Sequence, residues 1–403
     1  MRSSILSRLL WIRALRAFAD GYVSLLLPLY LLALGMGPLQ VGILATGALL
    51  GSGVLTLLVG LYAQEFKYRA LLTMAALLMA GTGFSFAVVS DFWPLLLIAV
   101  VGTLNPSSGD VSVFVPLEHA VLSGAVPTRQ RTALFARYSL IGSLAGASGA
   151  LFAGAADLGA AVTSLDMQVV LRTMFVLYGV LGLVAAMMYA TLPKELDLGK
   201  QQVPSAPLRE SKRIVYTLAA LFSLDAFGGG FVVQSMVALW LFEKFQLTIS
   251  TAGTIFFWTG ILSALSYLAA SRIAYRFGLV NTMVFTHLPS NIFLILVPLM
   301  PTLAWAVLML LARSALSQMD VPTRSSYVMG IVPTNERAAA ASVTSVPRSL
   351  ASAASPFFAG YLLSVSTFGW SLVIAGALKI VYDLLLLRIF GKLRPPEELD
   401  IEH

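Results

Sequence analysis

Apolar residues run along the chain in long uninterrupted blocks, and short polar breaks between them carry most of the charge. A helix needs roughly 20 mostly apolar residues to cross the hydrocarbon core of a bilayer. Blocks of that order occupy 9–34, 39–63, 70–90, 93–124, 132–155, 168–192, 214–242, 250–271, 279–300, 302–331, 338–363 and 368–390. Their apolar positions are continuous, which argues against the alternating segments of roughly ten residues that build a membrane barrel. The pattern predicts an all-α integral membrane protein with twelve transmembrane helices. The longest polar stretch, 193–213, holds Lys194, Glu195, Asp197, Lys200, Arg209, Glu210, Lys212 and Arg213, with Pro204 and Pro207. It reads as a linker between an N-terminal six-helix bundle, 1–192, and a C-terminal one with a short tail, 214–403.

The two halves resemble each other. Val115-Pro116-Leu117-Glu118 aligns with Val321-Pro322-Thr323-Arg324 at an offset of 206 residues. The same register carries Val126-Pro127-Thr128 onto Val332-Pro333-Thr334, and Phe152-Ala153-Gly154 onto Phe358-Ala359-Gly360. A second match sets Arg16-Ala17-Phe18-Ala19-Asp20-Gly21-Tyr22 against Asp225-Ala226-Phe227-Gly228-Gly229-Gly230-Phe231, at offset 209. Internal repeats in a membrane protein point to two related bundles with a binding site where they meet.

Composition supports lipid as the solvent. Hydrophobic residues make up 58% and charged residues 11% of 403, against roughly 25% charged in soluble domains. There is no cysteine, which excludes disulfides and thiolate metal sites. The net charge of +7 sits in loops, which favours membrane topology over nucleic-acid binding. Arg2 and Arg8, Lys67 and Arg69, Arg129 and Arg131, the linker cluster, Arg272 and Arg276, Arg337, and Lys392 with Arg394 all fall on one side. The opposite loops carry only Asp91, Asp157, Asp166 and the pair Glu243/Lys244. Positive loops stay in the cytoplasm, so both termini are expected there. Arg2, Arg8, Arg13 and Arg16 interrupt the N-terminal residues, so a cleavable signal is not expected.

Twelve spans, two halves and a cytoplasmic central loop make the chain similar to the major facilitator superfamily. The family's signature between spans two and three, Gly-x-x-x-Asp-Arg-x-Gly-Arg-Arg, is partly present as Gly60-Leu61-Tyr62-Ala63-Gln64-Glu65-Phe66-Lys67-Tyr68-Arg69. Gly60 and Arg69 fit, while Gln64, Glu65 and Lys67 depart from it. The second-half copy keeps Arg276 and Gly278 but has Tyr275 at the acidic position. The resemblance implies two pseudo-symmetric six-helix bundles, alternating access, a monomer, and a central cavity lined by spans one, four, seven and ten.

An ionisable residue inside a span costs about 2.5–3.5 kcal/mol on insertion scales and so needs a partner or a function. Arg16 and Asp225 occupy equivalent positions, as do Glu118 and Arg324, with the charge reversed in both cases. Each half can therefore hold one ion pair, Arg16 with Glu118 and Asp225 with Arg324. Such pairs gate the cavity or clamp helices together. Asp20 and Asp110 have no symmetry-related basic partner, which makes them proton-coupling candidates beside Glu118 and Asp225. Asp110 follows Asn105-Pro106-Ser107-Ser108-Gly109, where the helix is expected to break and expose backbone groups to ligand. Arg313 is a candidate contact for an anionic group, with a pairing to Asp320 as the structural alternative. Tyr22, Tyr30, Asn105, Phe231, Trp240, Arg313 and Asp320 form the substrate-binding candidates, with Tyr138 and Trp258 also expected near the cavity. Lys379 and Asp383, four apart, read as a structural pair on a peripheral span.

Weaker signals add little. Met283 with His287, and His119 beside Glu118, fall short of a metal-carrier cluster, and no metal or cofactor is expected. The stretch Gly142 to Gly149 loosely resembles the span-five motif of the family's antiporters, although small residues also serve close helix packing. The expectation is a proton-coupled secondary transporter, not an enzyme, exporting a small organic molecule across a bacterial inner membrane. An uncoupled facilitator, a proton-coupled importer, a metal-ion carrier and a non-transporting scaffold are the alternatives.

Overall fold

The computed structural model describes residues 2–62, 66–108, 112–125, 128–193, 208–333 and 335–393. They form sixteen α-helices and one 3-10 turn, with no strand among the described residues. The first half contains α1 (Arg2–Ala33), α2 (Pro38–Tyr62), α3 (Tyr68–Val88), α4 (Phe92–Val101), α5 (Phe114–Ala125), α6 (Thr128–Phe152), α7 (Ala155–Thr163) and α8 (Met167–Ala190). The second contains α9 (Lys212–Gly230), α10 (Gln234–Phe245), α11 (Ile249–Phe277), α12 (Leu279–Leu296), α13 (Leu303–Leu316), α14 (Asp320–Ile331), α15 (Arg337–Val365) and α16 (Trp370–Phe390). Eight segments are long and apolar enough to cross a membrane. The helices follow the order of the twelve apolar blocks, with three blocks broken in two: α4/α5, α9/α10 and α13/α14. Beyond its first residue, the short α7 lies between the fifth and sixth apolar blocks, outside the predicted spans.

The repeated prolines explain the matching breaks. Pro116 is the third residue of α5 and Pro322 the third of α14. A proline is favoured in the first helical turn, where its missing N–H has no intrahelical acceptor. Both helices then end shortly before the next proline in the sequence, at position 127 or 333, because a residue preceding proline is pushed out of the helical region. The result is two twelve-residue helices at equivalent places: α5 shifted by 206 gives Asp320–Ile331. Upstream of α5, Asn105 turns the chain by accepting the Ser107 N–H at 3.1 Å and the Ser107 hydroxyl at 2.7 Å. Ser108 adopts a left-handed φ of 51°.

The chain divides into two compact units. One holds Met1–Gln201 together with Val233–Trp258 and Ala359–Thr367; the other holds Gln202–Val232, Thr259–Phe358 and Phe368–His403. The first unit thus includes segments from the second half of the sequence. The Ser235 N–H donates to the Pro106 carbonyl at 3.1 Å, the Gln234 amide to the Gly21 carbonyl at 3.4 Å, and the Ser250 N–H and hydroxyl to Asp157 at 2.8 Å. These bonds join the break after α4, the middle of α1 and the start of α7 to α10 and α11.

Glycines set the closest helix approaches within this unit. A Cβ on Gly149 of α6 would stand 2.0 Å from the Phe18 carbonyl oxygen of α1, and one on Gly21 would stand 2.1 Å from the Gly146 carbonyl oxygen. Gly83 and Gly179 do the same for α3 and α8, at 2.4 Å. The glycine-rich stretch of span five is therefore occupied in packing α6 on α1. In the second unit, Pro356 of α15 cannot donate to the Ser352 carbonyl, and Gly230 of α9 packs against that carbonyl. Large apolar side chains such as Phe285, Met74 and Leu97 remain exposed on the outside, as lipid contact demands.

On the loop side, Glu336 caps the start of α9. Its carboxylate accepts the Ser211 hydroxyl at 2.5 Å and the N–H groups of Arg209, Glu210 and Ser211 at 2.9–3.2 Å. The Ser211 hydroxyl, followed by those backbone donors, holds its pKa down to about 2. A depressed carboxylate pKa stabilises the fold above the unfolded value, near 4.5, and that contribution disappears as pH falls toward 2. Glu336→Gln is expected to lower the melting temperature by a few degrees at neutral pH and to flatten its acid dependence over that window. Gly149→Leu is expected to cost about 1–3 kcal/mol by forcing α6 away from α1, read as a lower melting temperature in detergent.

Candidate functional site

Each unit buries one ionic cluster, and the two are built differently. In the first unit, Arg16 sits midway along α1 and is 1% exposed. Its Nη2 donates to Glu118 Oε2 of α5 at 2.5 Å. Glu118 is fully buried and also accepts the hydroxyls of Tyr138 from α6 and Tyr189 from α8. The Arg16 guanidinium lies 3.8 Å from the centre of the Phe114 ring, which stacks on Tyr189. Arg13 covers the Tyr138 ring at 4.9 Å. The cluster ties α1, α5, α6 and α8 together. Tyr189 gave no signal in the sequence, because its helix looks like an ordinary lipid-facing span.

Asp20 stands one turn beyond Arg16 on α1 and is 7% exposed. It accepts the Tyr178 hydroxyl at 3.3 Å and a hydrogen bond from Asn105. Among the described residues no ion pair reaches it. Tyr178 also donates to the Thr103 carbonyl at 3.4 Å, so the carboxyl faces the broken segment after α4. Asp110, the other unpaired candidate by sequence, lies outside the described residues, as do Gln64 and Glu65 of the loop signature.

In the second unit, Asp225 of α9 is the centre. Arg324 Nη2 of α14 donates to its Oδ2 at 2.8 Å, and Lys379 Nζ of α16 to its Oδ1 at 2.6 Å. Arg324 also pairs with Asp320, one turn earlier on its own helix. His287 of α12 turns Nε2 toward Asp225 Oδ1 at 3.8 Å and Nδ1 toward Asp383 Oδ1 of α16 at 2.9 Å. Asn291 donates to Asp383 Oδ2 at 3.0 Å.

This arrangement corrects two readings of the sequence. Lys379 and Asp383 do not form a pair of their own: successive turns of α16 aim one at Asp225 and the other at His287. His287 is a member of the ionic cluster and not a packing residue. The spacing along one helix could not reveal partners on α9 and α12. Asp320 is likewise committed to Arg324, while the Arg313 Nε is buried with no partner among the described residues.

The aromatic candidates lie in packed interiors. Tyr22 donates to the Met174 carbonyl, Tyr30 to Phe86 and Trp240 to Thr367, and all three rings are buried. Phe231 packs against Phe227 and Phe358. The polar groups of Tyr22, Tyr30 and Trp240 are thus satisfied by carbonyl oxygens. Asn105 is 3% exposed and holds its turn. Tyr138 belongs to the Glu118 cluster, and Trp258 is exposed. No group of three metal-ligating side chains occurs among the described residues. Two apolar surface clefts of about 380 and 450 Å³, lined by groups such as Phe277 and Phe285 or Trp11 and Phe18, contain none of the ionic residues.

Membrane-length helices in two repeated halves, with buried ion pairs at equivalent positions, define an integral membrane protein. The chain belongs to the Major Facilitator Superfamily, whose family model matches residues 9–312. It is 26% identical over 421 residues to the uncharacterized membrane protein YJR124C of Saccharomyces cerevisiae, covering 95% of this chain and 93% of that one. Its fold is similar to a bacterial homolog of the human lysosomal transporter Spinster, at TM-score 0.73 and 17% identity with 98% of each chain covered. It is also similar to the nucleoside transporter NupG, at TM-score 0.71 and 14% identity over 96% of this chain and 99% of that one. The xylose transporter XylE from E. coli gives TM-score 0.71 at 14% identity, with 99% of each covered.

Breaking a buried ion pair by removing one partner costs about 3–5 kcal/mol, whereas replacing both partners with apolar groups of similar size is often neutral. Glu118→Met alone is expected to destabilise by about that amount, because it strands Arg16 and two phenols. The double variant Arg16→Met/Glu118→Met is expected to recover part of the loss in thermal melts.

Proposed function

We propose that this transporter couples movement of a small organic molecule to protons, with Asp20 as the proton-carrying group. The observation that carries the reading is the contrast within α1. Arg16 is locked to Glu118 by a direct ion pair, while Asp20, one turn on, is buried among a hydroxyl and an amide with no cation bonded to it among the described residues. A buried carboxyl held by neutral donors can lose or take a proton without breaking an ion pair. Proximity to the non-helical segment at 102–108 gives it polar backbone groups as neighbours, the usual surroundings of a membrane binding site. Arg16/Glu118 and Asp225/Arg324 act in this reading as clamps. Each pair lies inside one unit, so movement of a unit as a body leaves it intact. In this reading both termini are cytoplasmic, which the distribution of basic loops supports.

The glycine stretch of α6 is accounted for by its packing on α1, and export finds no separate support from it. The test is direct. Proteoliposomes loaded with a pH-sensitive dye are challenged with sugars, nucleosides and organic anions. At least one class is expected to move protons with the wild-type protein. Asp20→Asn should abolish that signal and gradient-driven accumulation while retaining substrate exchange across the membrane. Full gradient-driven accumulation by Asp20→Asn would remove Asp20 from the mechanism, and substrate flux that moves no protons with the wild type would favour a facilitator.

A further inference from the structure

The second unit contains a titratable side chain that the coupling scheme above does not use. His287 lies 4% exposed on α12, between carboxylates of two other helices. Its neighbours come from every side. Asp225 faces it from α9, and Lys379, Tyr382 and Asp383 from α16. Arg324, paired with Asp320, approaches through Asp225 from α14. From α13 the backbone carbonyl of Arg313 reaches α12 by accepting the Ser290 hydroxyl. Arg348 on α15 lies within electrostatic reach of Arg324, Asp225 and Asp320 from the outer side of its helix, without a direct ion pair to the cluster among the described residues.

Hydrogen-bond logic assigns one ring proton. Asn291 donates its amide to Asp383 Oδ2 and also lies 3.2 Å from Nδ1; with Asp383 ionised, Nδ1 at 2.9 Å from Oδ1 carries the proton of that shorter contact. The other nitrogen, Nε2, has Asp225 Oδ1 before it at 3.8 Å. Charge decides what Nε2 carries. The buried members are three carboxylates, Asp225, Asp320 and Asp383, and two fixed cations, Arg324 and Lys379. With a neutral imidazole the buried set keeps one uncompensated negative charge; with an imidazolium it is neutral. An unbalanced charge away from water is costly, whereas a balanced set is tolerated.

We propose that His287 is a proton-binding site whose bound proton, held between Asp383 and Asp225, neutralises the buried cluster and joins α9, α12 and α16. In the protonated state Nε2–H points at Asp225 and α12 is held to both neighbours. Without that proton, Nε2 presents a lone pair to a carboxylate, and the link between α12 and α9 is lost while the Asp383 bond remains. The site is separate from Asp20, in the other unit, and requires no substrate.

Histidine-selective ¹⁵N NMR of the full chain in lipid nanodiscs, without substrate and between about pH 5 and 9, reads the ring directly. The His287 signal is the one that disappears in His287→Gln. In the wild type both ring nitrogens are expected to be protonated at the acid end, with Nε2 losing its proton as pH rises. Asp383→Asn should reduce the imidazolium fraction at a fixed pH within the transition several-fold. Lys379→Met, which removes a competing cation, should raise it, an opposite change that general loss of structure cannot imitate. A His287 ring that stays neutral throughout, or a transition that neither substitution moves, would overturn the proposal. The readout is independent of transport, so it stands or falls apart from the role given to Asp20.

Discussion

The structure depends on one constraint: a charge placed inside lipid must find its counter-charge within the protein. Both halves inherited a polar position on the first helix and another on the short helix after the break, and both close them into an ion pair. The reversal of sign between the halves determines everything around each pair. Glu118 has oxygens to fill, and Tyr138 and Tyr189 supply hydroxyls for them. At the equivalent place Arg324 has nitrogens to fill, which phenol donors do not satisfy. It recruits Asp320, at the position where the first half has Phe114 under the Arg16 guanidinium. Two carboxylates on one arginine then leave a negative excess, and Lys379 and His287 gather on Asp225 from α16 and α12.

The same logic separates the two unpartnered positions of the first helices. Asp20 corresponds to Gly229, and the second half fills that region from another helix. Lys379 Nζ lies 3.6 Å from where a Cβ on Gly229 would stand. The place taken by a carboxyl in the first half is thus filled in the second by a lysine from α16, itself paired with Asp225. The first half keeps a group that can exchange a proton without breaking an ion pair, while the second half is densely cross-linked.

Backbone chemistry places these groups. The prolines at 116 and 322 allow helix only from two residues before them, so α5 and α14 begin where their carboxylate or arginine falls on the second turn. Glycines on α1 and α6 let two helices approach until backbone meets backbone, which brings Tyr138 within reach of Glu118. Loss of side-chain volume at the contact and retention of a buried charge near it are two parts of the same arrangement.

The chain alone determined the apolar blocks, the duplication, the break near Asn105, and the residues whose charge lipid would not accept. These are local or repeated features, readable because membrane length, proline geometry and charge cost act on the sequence directly. It also marked the counter-charges of Arg16 and Arg324, because duplication placed them at matching registers. Only the tertiary structure decided that Lys379 turns to Asp225 and Asp383 to His287, since residues four apart on α16 reach different helices. It alone put Tyr178 and Tyr189 against carboxylates and buried Tyr22, Tyr30 and Trp240 behind carbonyl partners. Such choices depend on which helix faces which across a few ångströms, and no spacing along a single helix encodes that.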